Sequence, residues 1–571
     1  MGAWLAAGLR LREWRHDARF ERATARPDRA QATALRTLLR RNARTAFGRE
    51  HGFGAIRTAA EYRRAVPLRD YEGFRPYVDR IAAGEPAVLT AEPVTAFSTT
   101  SGTTGEPKLV PVTARWLGSM AALVRLWMLR AQRDHPTLFD RALLTIVSPA
   151  IEGHTPAGLP YGALSGLLQR RLPPGARCAQ AVPYAAHLIA ECEARAHVLL
   201  RLALARPVSV IGTPNPTTLI RVAEVARQRA DALLRAIHDG TLGIPWPAVH
   251  EEPGWDARAV RRALAARLRP DPGRARALTA AARRRGALRL RDAWPELTLI
   301  GCWLGGYPGH HTRRLPPDYG DVPLRDLGLV ASEGRVTLPL ADGSAAGVLA
   351  IESGFYEFVP EESMEAEAPP ICLAHELEVG RRYDVVLSGT NGLYRYDLND
   401  VVEVRGRHRG TPLVAFVRKG RDMTSLTGEK LHLNHVRAAV REAEGAAGIE
   451  VWQFRLIPDV DACRYDLLVE FHGAGFDKSG PRTFARAVDE ALGRQNVEYA
   501  AKRRSRRLGP PRLHVMRAGW AERQCRADFA RGRREVQHKW PAIRADWDPE
   551  SRAEVMETWD AEPIAGERRA G

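Results

Sequence analysis

A run of small hydroxyl and glycine residues ends in a lysine at Ala96–Thr113, AFSTTSGTTGEPKLVPVT, between two apolar stretches of strand character. Such a loop suits phosphate: glycines let backbone N–H groups approach phosphate oxygens, the hydroxyls of Thr100, Ser101, Thr103 and Thr104 add donors, and the Lys108 ammonium supplies the opposite charge. It is not a P-loop of the G-x-x-x-x-G-K-[ST] kind, because Glu106 and Pro107 separate Gly105 from Lys108. The same composition also suits a flexible Ser/Thr/Gly turn, and composition does not decide between the two.

The elements around this loop alternate. Ala142–Val147 and Val208–Ile211 read as buried strands and Val222–Ile237 as an amphipathic helix, which predicts an α/β architecture. GTPNPTTLI, Gly212–Ile220, reads as a strand-to-helix turn or equally as a plain helix cap. Between about residues 348 and 417 the strand candidates crowd together, as in GVLAIESGFYEFVP and YDVVLSG, and predict a more antiparallel subdomain. Beyond Arg418, strand candidates at Glu450–Leu456 and Tyr465–Phe471 and a helical pattern over Arg482–Arg506 suit a small α+β domain. A chain of 571 residues exceeds what one compact core needs. The expected division is therefore 1–417, a large N-terminal domain with mixed sheets and helices, and 418–571, a smaller mobile α+β domain.

Composition narrows the function classes. With 45% hydrophobic residues and no long polar low-complexity tract the chain should bury an ordinary core. The six cysteines stand singly, without zinc-site or disulfide-framework spacing. The opening apolar patch is too short to span a membrane and lacks a cleavage pattern, so a cytoplasmic protein without a membrane partner is expected. Leu11, Trp14 and Phe20 among arginines read as a helix packing on the surface. The net charge of +18 would steer anionic small molecules toward a cleft. Arginine recurs throughout, as in Arg274–Arg291, with no nucleic-acid motif beside it, so no nucleic-acid partner is expected.

TSGTTGEPK resembles the phosphate loop of the acyl-adenylate-forming superfamily. VPLRDYEGFRPYVDRIAAGE at Val66–Glu85 and the LVPVT that follows the loop narrow the resemblance to the auxin-responsive acyl-acid amido synthetases, over about residues 60–545. Further motifs occur in the order the family implies. LTLIGCWLGG, ending in Gly305 and Gly306, resembles the strand and glycine turn beside the adenine. LVASEG at Leu329–Gly334 is similar to the second nucleotide motif, which implies Ser332 near the nucleotide and Glu333 as a Mg²⁺ ligand. GLYRYDLNDVVEV at Gly392–Val404 implies Asp400 on the ribose hydroxyls; an ionised carboxylate accepting two hydrogen bonds suits a vicinal diol. FVRKGRDMTSLTGEKL at Phe416–Leu431 resembles the hinge, with Arg418 near the nucleotide, and QHKWPAI at Gln537–Ile543 resembles the late segment whose lysine, here Lys539, neutralises charge at the reacting group.

The resemblance implies a monomeric enzyme that uses ATP and Mg²⁺ to activate a carboxylic acid as its acyl-adenylate and joins it to an amine, most naturally an amino acid. Thr100, Ser101, Gly102, Thr103, Thr104 and Gly105 are then phosphate-loop residues, and Lys108, Glu333 and Lys539 the catalytic ones. Segment 114–220 is expected to supply much of the acid pocket. Thioester formation on coenzyme A and a catalytically silent nucleotide-binding protein are the competing readings. The chain departs from the family pattern at Leu329 and Val330, where an aromatic residue is common, and at Asn399, where glycine is common. Asn tolerates positive φ better than most residues, so the turn can survive.

Overall fold

The two apolar runs read as buried strands pair directly with each other. In the computed structural model Ala142–Thr145, Val208–Gly212, Leu299–Gly301 and Leu324–Arg325 form a four-stranded, wholly parallel sheet in that order. Parallel neighbours need long crossovers, and helices such as Cys192–Leu204, Pro216–Gln228 and Pro272–Arg285 supply them. Pro216 opens its helix four residues after the strand ends at Gly212, which makes GTPNPTTLI the strand-to-helix turn. The carboxyl ends of such strands are where open α/β sheets place ligands. Here they emit Thr213–Asn215, Cys302–Gly306 and the segment from Asp326 to Glu333.

The described residues are 2–561 except 101–107, 307–308, 310, 365, 367, 421–422, 425, 427–430, 460, 473–478, 505–507, 531–539 and 545. They divide into two units, Met1–Val417 and Arg418–Gly571. Within the first unit, Val94–Thr100 and Lys108–Thr113 pair antiparallel, with Thr100 opposite Lys108 at the open end. A seven-stranded sheet contains Gly354–Pro360, Arg382–Gly389, Tyr396–His408 and Thr411–Lys419, the crowded strands expected from the sequence. Its strand Gly354–Pro360 is buried at every position, and an aromatic cluster in which Phe47 stacks on Phe74 and Tyr394 fills the space behind it.

Three expectations about helices need correction. The pattern over Val222–Ile237 is two helices, Pro216–Gln228 and Ala230–Asp239, broken where Arg229 leaves helical geometry. That over Arg482–Arg506 is also two, Ser479–Gln495 and Val497–Arg504; Asn496 interrupts it, its side chain accepting the Tyr499 N–H. In the N-terminal helix Gly2–Ala25, Phe20 is buried but Leu11 and Trp14 are 79% and 53% exposed. Ion pairs join Phe20 in holding this helix: Arg125 with Glu13, Arg130 with Asp17 and Glu21, and Arg133 with Asp17. Hydrophobic periodicity marks the apolar stripe but not the charged one.

The second unit has a four-stranded sheet, Val451–Asp459, Arg464–Phe471, Arg512–Met516 and Val555–Asp560, with helices Leu433–Ala447 and Ser479–Gln495 packed together, an α+β arrangement. Among the described residues no helix is long and apolar enough to cross a membrane.

Candidate active site

Beyond Leu324–Arg325 the chain turns back on itself, Val330 bridging Arg335 while Ala331 and Gly334 exchange backbone hydrogen bonds. Ser332 and Glu333 sit at the tip of this loop, both buried. Four other segments hold the tip. Trp116 Nε1 and Asn391 Nδ2 donate to the Glu333 carbonyl at 3.3 and 3.1 Å, and the Ser332 hydroxyl reaches the Thr99 carbonyl at 3.5 Å. The Tyr396 hydroxyl donates to Glu333 Oε1 at 3.1 Å. Burial first, and the Glu333 charge second, push the Tyr396 phenol far up, so it remains a donor at any physiological pH.

Lys108 lies at the mouth of the hairpin. Its Nζ is 5.4 Å from the centre of the Tyr71 ring, and the backbone N–H of Leu109 donates to the Tyr71 hydroxyl at 2.8 Å. Tyr71 opens the helix Tyr71–Ala82, capped by Asp70, whose carboxylate accepts the Gly73 N–H. Just before it, Arg69 pairs through its backbone with the third motif: its N–H donates to the Arg395 carbonyl, and its carbonyl accepts from Asp397. The segment Val66–Glu85 therefore links Lys108 to the strand that carries Tyr396 and Asp400.

Within that third motif Arg395 has left-handed backbone, φ 48°. Its guanidinium donates to Glu357 at 2.9 Å and to the Val66 carbonyl at 2.8 Å, and its N–H donates to Ser388 Oγ. Such a fully hydrogen-bonded buried pair over-determines the strained backbone around it. Asn399 is also left-handed, φ 53°, and its N–H donates to Asp397 Oδ1 at 2.7 Å. Asparagine thus makes the turn where glycine is common, and Asp400 follows, buried. Beside it, burial and then the carboxylates of Asp397 and Asp400 push Asp384 up to about 9, so Asp384 is protonated at neutral pH.

Gly306 has φ 60°, and a Cβ there would lie 2.8 Å from the Phe416 ring, so both backbone and space require glycine. Leu329 and Val330 pack inward, Leu329 against the aromatic core and Val330 against the cluster of Trp116 and Leu117.

The structure thus gathers Lys108, Ser332, Glu333 and Asp400 through contacts shared between their segments. Thr100 ends its strand, and Arg418 lies in the strand Thr411–Lys419. Ser101, Gly102, Thr103, Thr104, Gly105 and Lys539 lie outside the described residues. Sequence reasoning missed Tyr71, Trp116, Asn391 and Tyr396. Of these, Tyr396 inside the third motif and Tyr71 inside the Val66–Glu85 segment carried a local signal.

Among the described residues no group of three or more His, Cys, Asp or Glu side chains is placed to hold a metal ion. Glu333, with one oxygen oriented by Tyr396 and a second acceptor oxygen beside it, fits a hard cation that arrives on a polyphosphate and takes a single protein carboxylate.

Comparison with known proteins addresses the family and the fold. The chain is 27% identical to an indole-3-acetic acid-amido synthetase, GH3.8, of Oryza sativa subsp. indica over 91% of its length and 88% of the relative's. It is 26% identical to a jasmonoyl–L-amino acid synthetase, GH3.5, of Oryza sativa subsp. japonica, covering 88% and 89%. The solved structure of the GH3.15 acyl acid amido synthetase shares the fold, with a TM-score of 0.83 at 20% identity, covering 95% of this chain and 96% of that one. Family models match in consecutive order, the GH3 family N-terminal domain over residues 17–324, the central domain over 347–419 and the C-terminal domain over 434–546, and the chain belongs to the GH3 family.

Proposed function

We propose that this chain is an acyl-acid amido synthetase that activates a carboxylic acid with ATP and transfers the acyl group to an amino acid. One observation carries the reading: Glu333 sits where the Lys108 hairpin, the Trp116 helix and the Tyr396–Asp400 strand converge, in a chain whose relatives are amido synthetases.

In the first half-reaction an oxygen of the substrate carboxylate attacks the α-phosphorus of ATP. The bond from that phosphorus to the bridging oxygen breaks, and pyrophosphate leaves. The 100–105 segment and Lys108 neutralise the phosphate oxygens. Asp400 accepts the ribose hydroxyls, two acceptor oxygens facing a vicinal diol. Gly306 lets the backbone pass close to the base. Mg²⁺, held by Glu333, supplies charge neutralisation on the polyphosphate when bound. Tyr396 orients Glu333, and burial of the loop tip excludes water from it.

In the second half-reaction the amine nitrogen attacks the acyl carbonyl. The bond to the AMP oxygen breaks, AMP leaves, and the nitrogen loses a proton as the amide forms. Residues 418–571 serve as the lid for this step, with Arg418 at the hinge and Lys539 neutralising charge at the reacting group. The five described cysteines are free thiols, which supports a cytoplasmic setting. A monomer acting on two small molecules completes the reading.

The test is acid-dependent pyrophosphate release against a panel of aryl, indolyl and fatty acids, with and without amino acids or coenzyme A. An amide product found by mass spectrometry supports the proposal. A thioester, or ATP binding without any pyrophosphate release, rejects it.

A further inference from the structure

Two turns implied in nucleotide binding, Cys302–Gly306 and Gly328–Glu333, leave the carboxyl ends of neighbouring parallel strands, and one carboxylate lies between them. Asp326 Oδ2 accepts the Leu304 N–H at 2.6 Å, at the start of the first turn, and Oδ1 accepts the Gly328 N–H at 2.5 Å, at the root of the second. The residue is buried, its carbonyl accepts Trp127 Nε1 at 2.8 Å, and Arg335 is the buried countercharge. Gly328 is left-handed, φ 89°, and a Cβ there would meet the Thr337 carbonyl at 2.5 Å, so its amide has little freedom to find another acceptor. None of the nucleotide motifs read from the sequence includes Asp326.

We infer that Asp326 is a positioning residue for the adenosine half of the nucleotide site, its carboxylate fixing the Gly305–Gly306 turn relative to the Ser332–Glu333 loop. The inference rests on the proposed function, since it takes those two turns to be the nucleotide's. A carboxylate is the side chain that can receive amides from both sides at once; an amide side chain presents one oxygen and turns its NH₂ against the second donor. The arrangement also has a pH limit. Burial holds the Asp326 carboxyl up at about 6 despite the amides of Leu304, Gly328 and Gly305 and the Arg335 charge, so mild acid protonates it and removes an acceptor. The titratable groups that face it are Arg335, lowered by burial to about 10, and Cys302, raised by burial and by Asp326 to about 12. Both keep one protonation state between pH 5 and 8, so Asp326 is the group in this cluster that changes there.

The test compares wild type with Asp326→Asn from pH 5 to 8. It measures equilibrium ATP binding by calorimetry, the KM values for ATP and for the acid in pyrophosphate exchange, and thermal melting. The expected result is an ATP Kd and KM raised tenfold or more in the variant, an acid KM within twofold, and an acid limb near pH 6 in wild-type kcat/KM for ATP that the variant lacks. A residue that only held the fold would lower both affinities along with the melting temperature, and that pattern overturns the inference. So do an ATP Kd within twofold of wild type and an acid limb shared by both proteins. Should the variant fail to fold, the pH dependence of ATP binding by wild type decides, and a flat profile from pH 5 to 7 is the overturning result. Wild type that binds ATP yet releases no pyrophosphate with any acid rejects the proposed function instead, while the binding comparison still reads Asp326.

Discussion

Replacing Asp384 by asparagine should stabilise the N-terminal unit, and increasingly so as the pH rises. The Asp384 carboxyl is raised from 3.8 to about 9 by burial and by Asp397 and Asp400. Between those limits the folded chain holds a proton that the unfolded chain releases, so this group's contribution to stability is greatest in acid and falls as the pH climbs toward 9. The slope for one proton is about 1.4 kcal/mol per pH unit, and from pH 5 to 8 the loss is about 4 kcal/mol. Asparagine has the same shape, donates where the protonated carboxyl donates, and carries no such slope. For the 417 residues of the unit, at about 2.1 cal/mol/K each, the entropy of unfolding is about 0.9 kcal/mol/K. The gap in melting temperature between Asp384→Asn and wild type should therefore widen by about 5 °C over that range. Differential scanning calorimetry at pH 5, 6, 7 and 8 measures it; groups that do not interact with Asp384 cancel in the gap, and Asp397 and Asp400 meet an uncharged neighbour in both proteins while Asp384 holds its proton. Turnover at pH 7 should change little, since one neutral side chain replaces another. A gap that stays constant with pH, or narrows, would falsify the assignment of a protonated Asp384.

The other predictions concern the gathered residues. Lys108→Ala should abolish measurable pyrophosphate exchange while leaving the melting temperature within about 2 °C, because the ammonium is partly exposed and a surface change seldom costs more than about 0.5 kcal/mol. Tyr396→Phe removes a buried hydrogen bond to a charged oxygen, about 1.5–3 kcal/mol, and should slow adenylation about tenfold or more, with Glu333→Ala no worse when combined with Tyr396→Phe than alone. Asp400→Asn should raise the KM for ATP far more than that for the acid, checked by steady-state kinetics with each substrate varied in turn. Lys539→Ala should change adenylate formation and amine transfer by different factors, read by pyrophosphate exchange and by single-turnover transfer from preformed adenylate.

Period and apolarity identified the fold where burial is one-sided or complete. Ala142–Thr145 and Val208–Gly212 are mostly apolar runs, buried at nearly every position as strands of a parallel sheet are, and that pattern is visible without a structure. Helix breaks were not visible. Arg229 and Asn496 interrupt periodic stretches that continue on either side, and a 3.6-residue pattern persists through a single non-helical residue. The N-terminal helix misled for a related reason: Leu11 and Trp14 look like a packing stripe, but Glu13, Asp17 and Glu21 form the face that docks, and ion pairs have no hydrophobic period.

For the site, the motifs identified the groups that would touch the nucleotide but not those that hold them. The Tyr-Arg pair before Asp400 illustrates the difference. From the sequence it is a feature of the third motif and nothing more; in the structure Tyr394 stacks in the aromatic core, and Arg395 binds Glu357 and the Val66 carbonyl, the latter hundreds of residues away along the chain. Those long-range bonds are what allow a non-glycine residue at φ 48° two positions before Asp397 and five before Asp400. Trp116, Asn391 and Tyr71 act in the same way, each donating to or accepting from backbone atoms of another segment. A residue whose role is to satisfy a distant buried group has no characteristic neighbour in sequence, so it becomes legible only when the segments are folded together. The same reasoning explains why asparagine suffices at 399: the Asp397 carboxylate that takes its N–H, rather than the absence of a side chain, holds the turn.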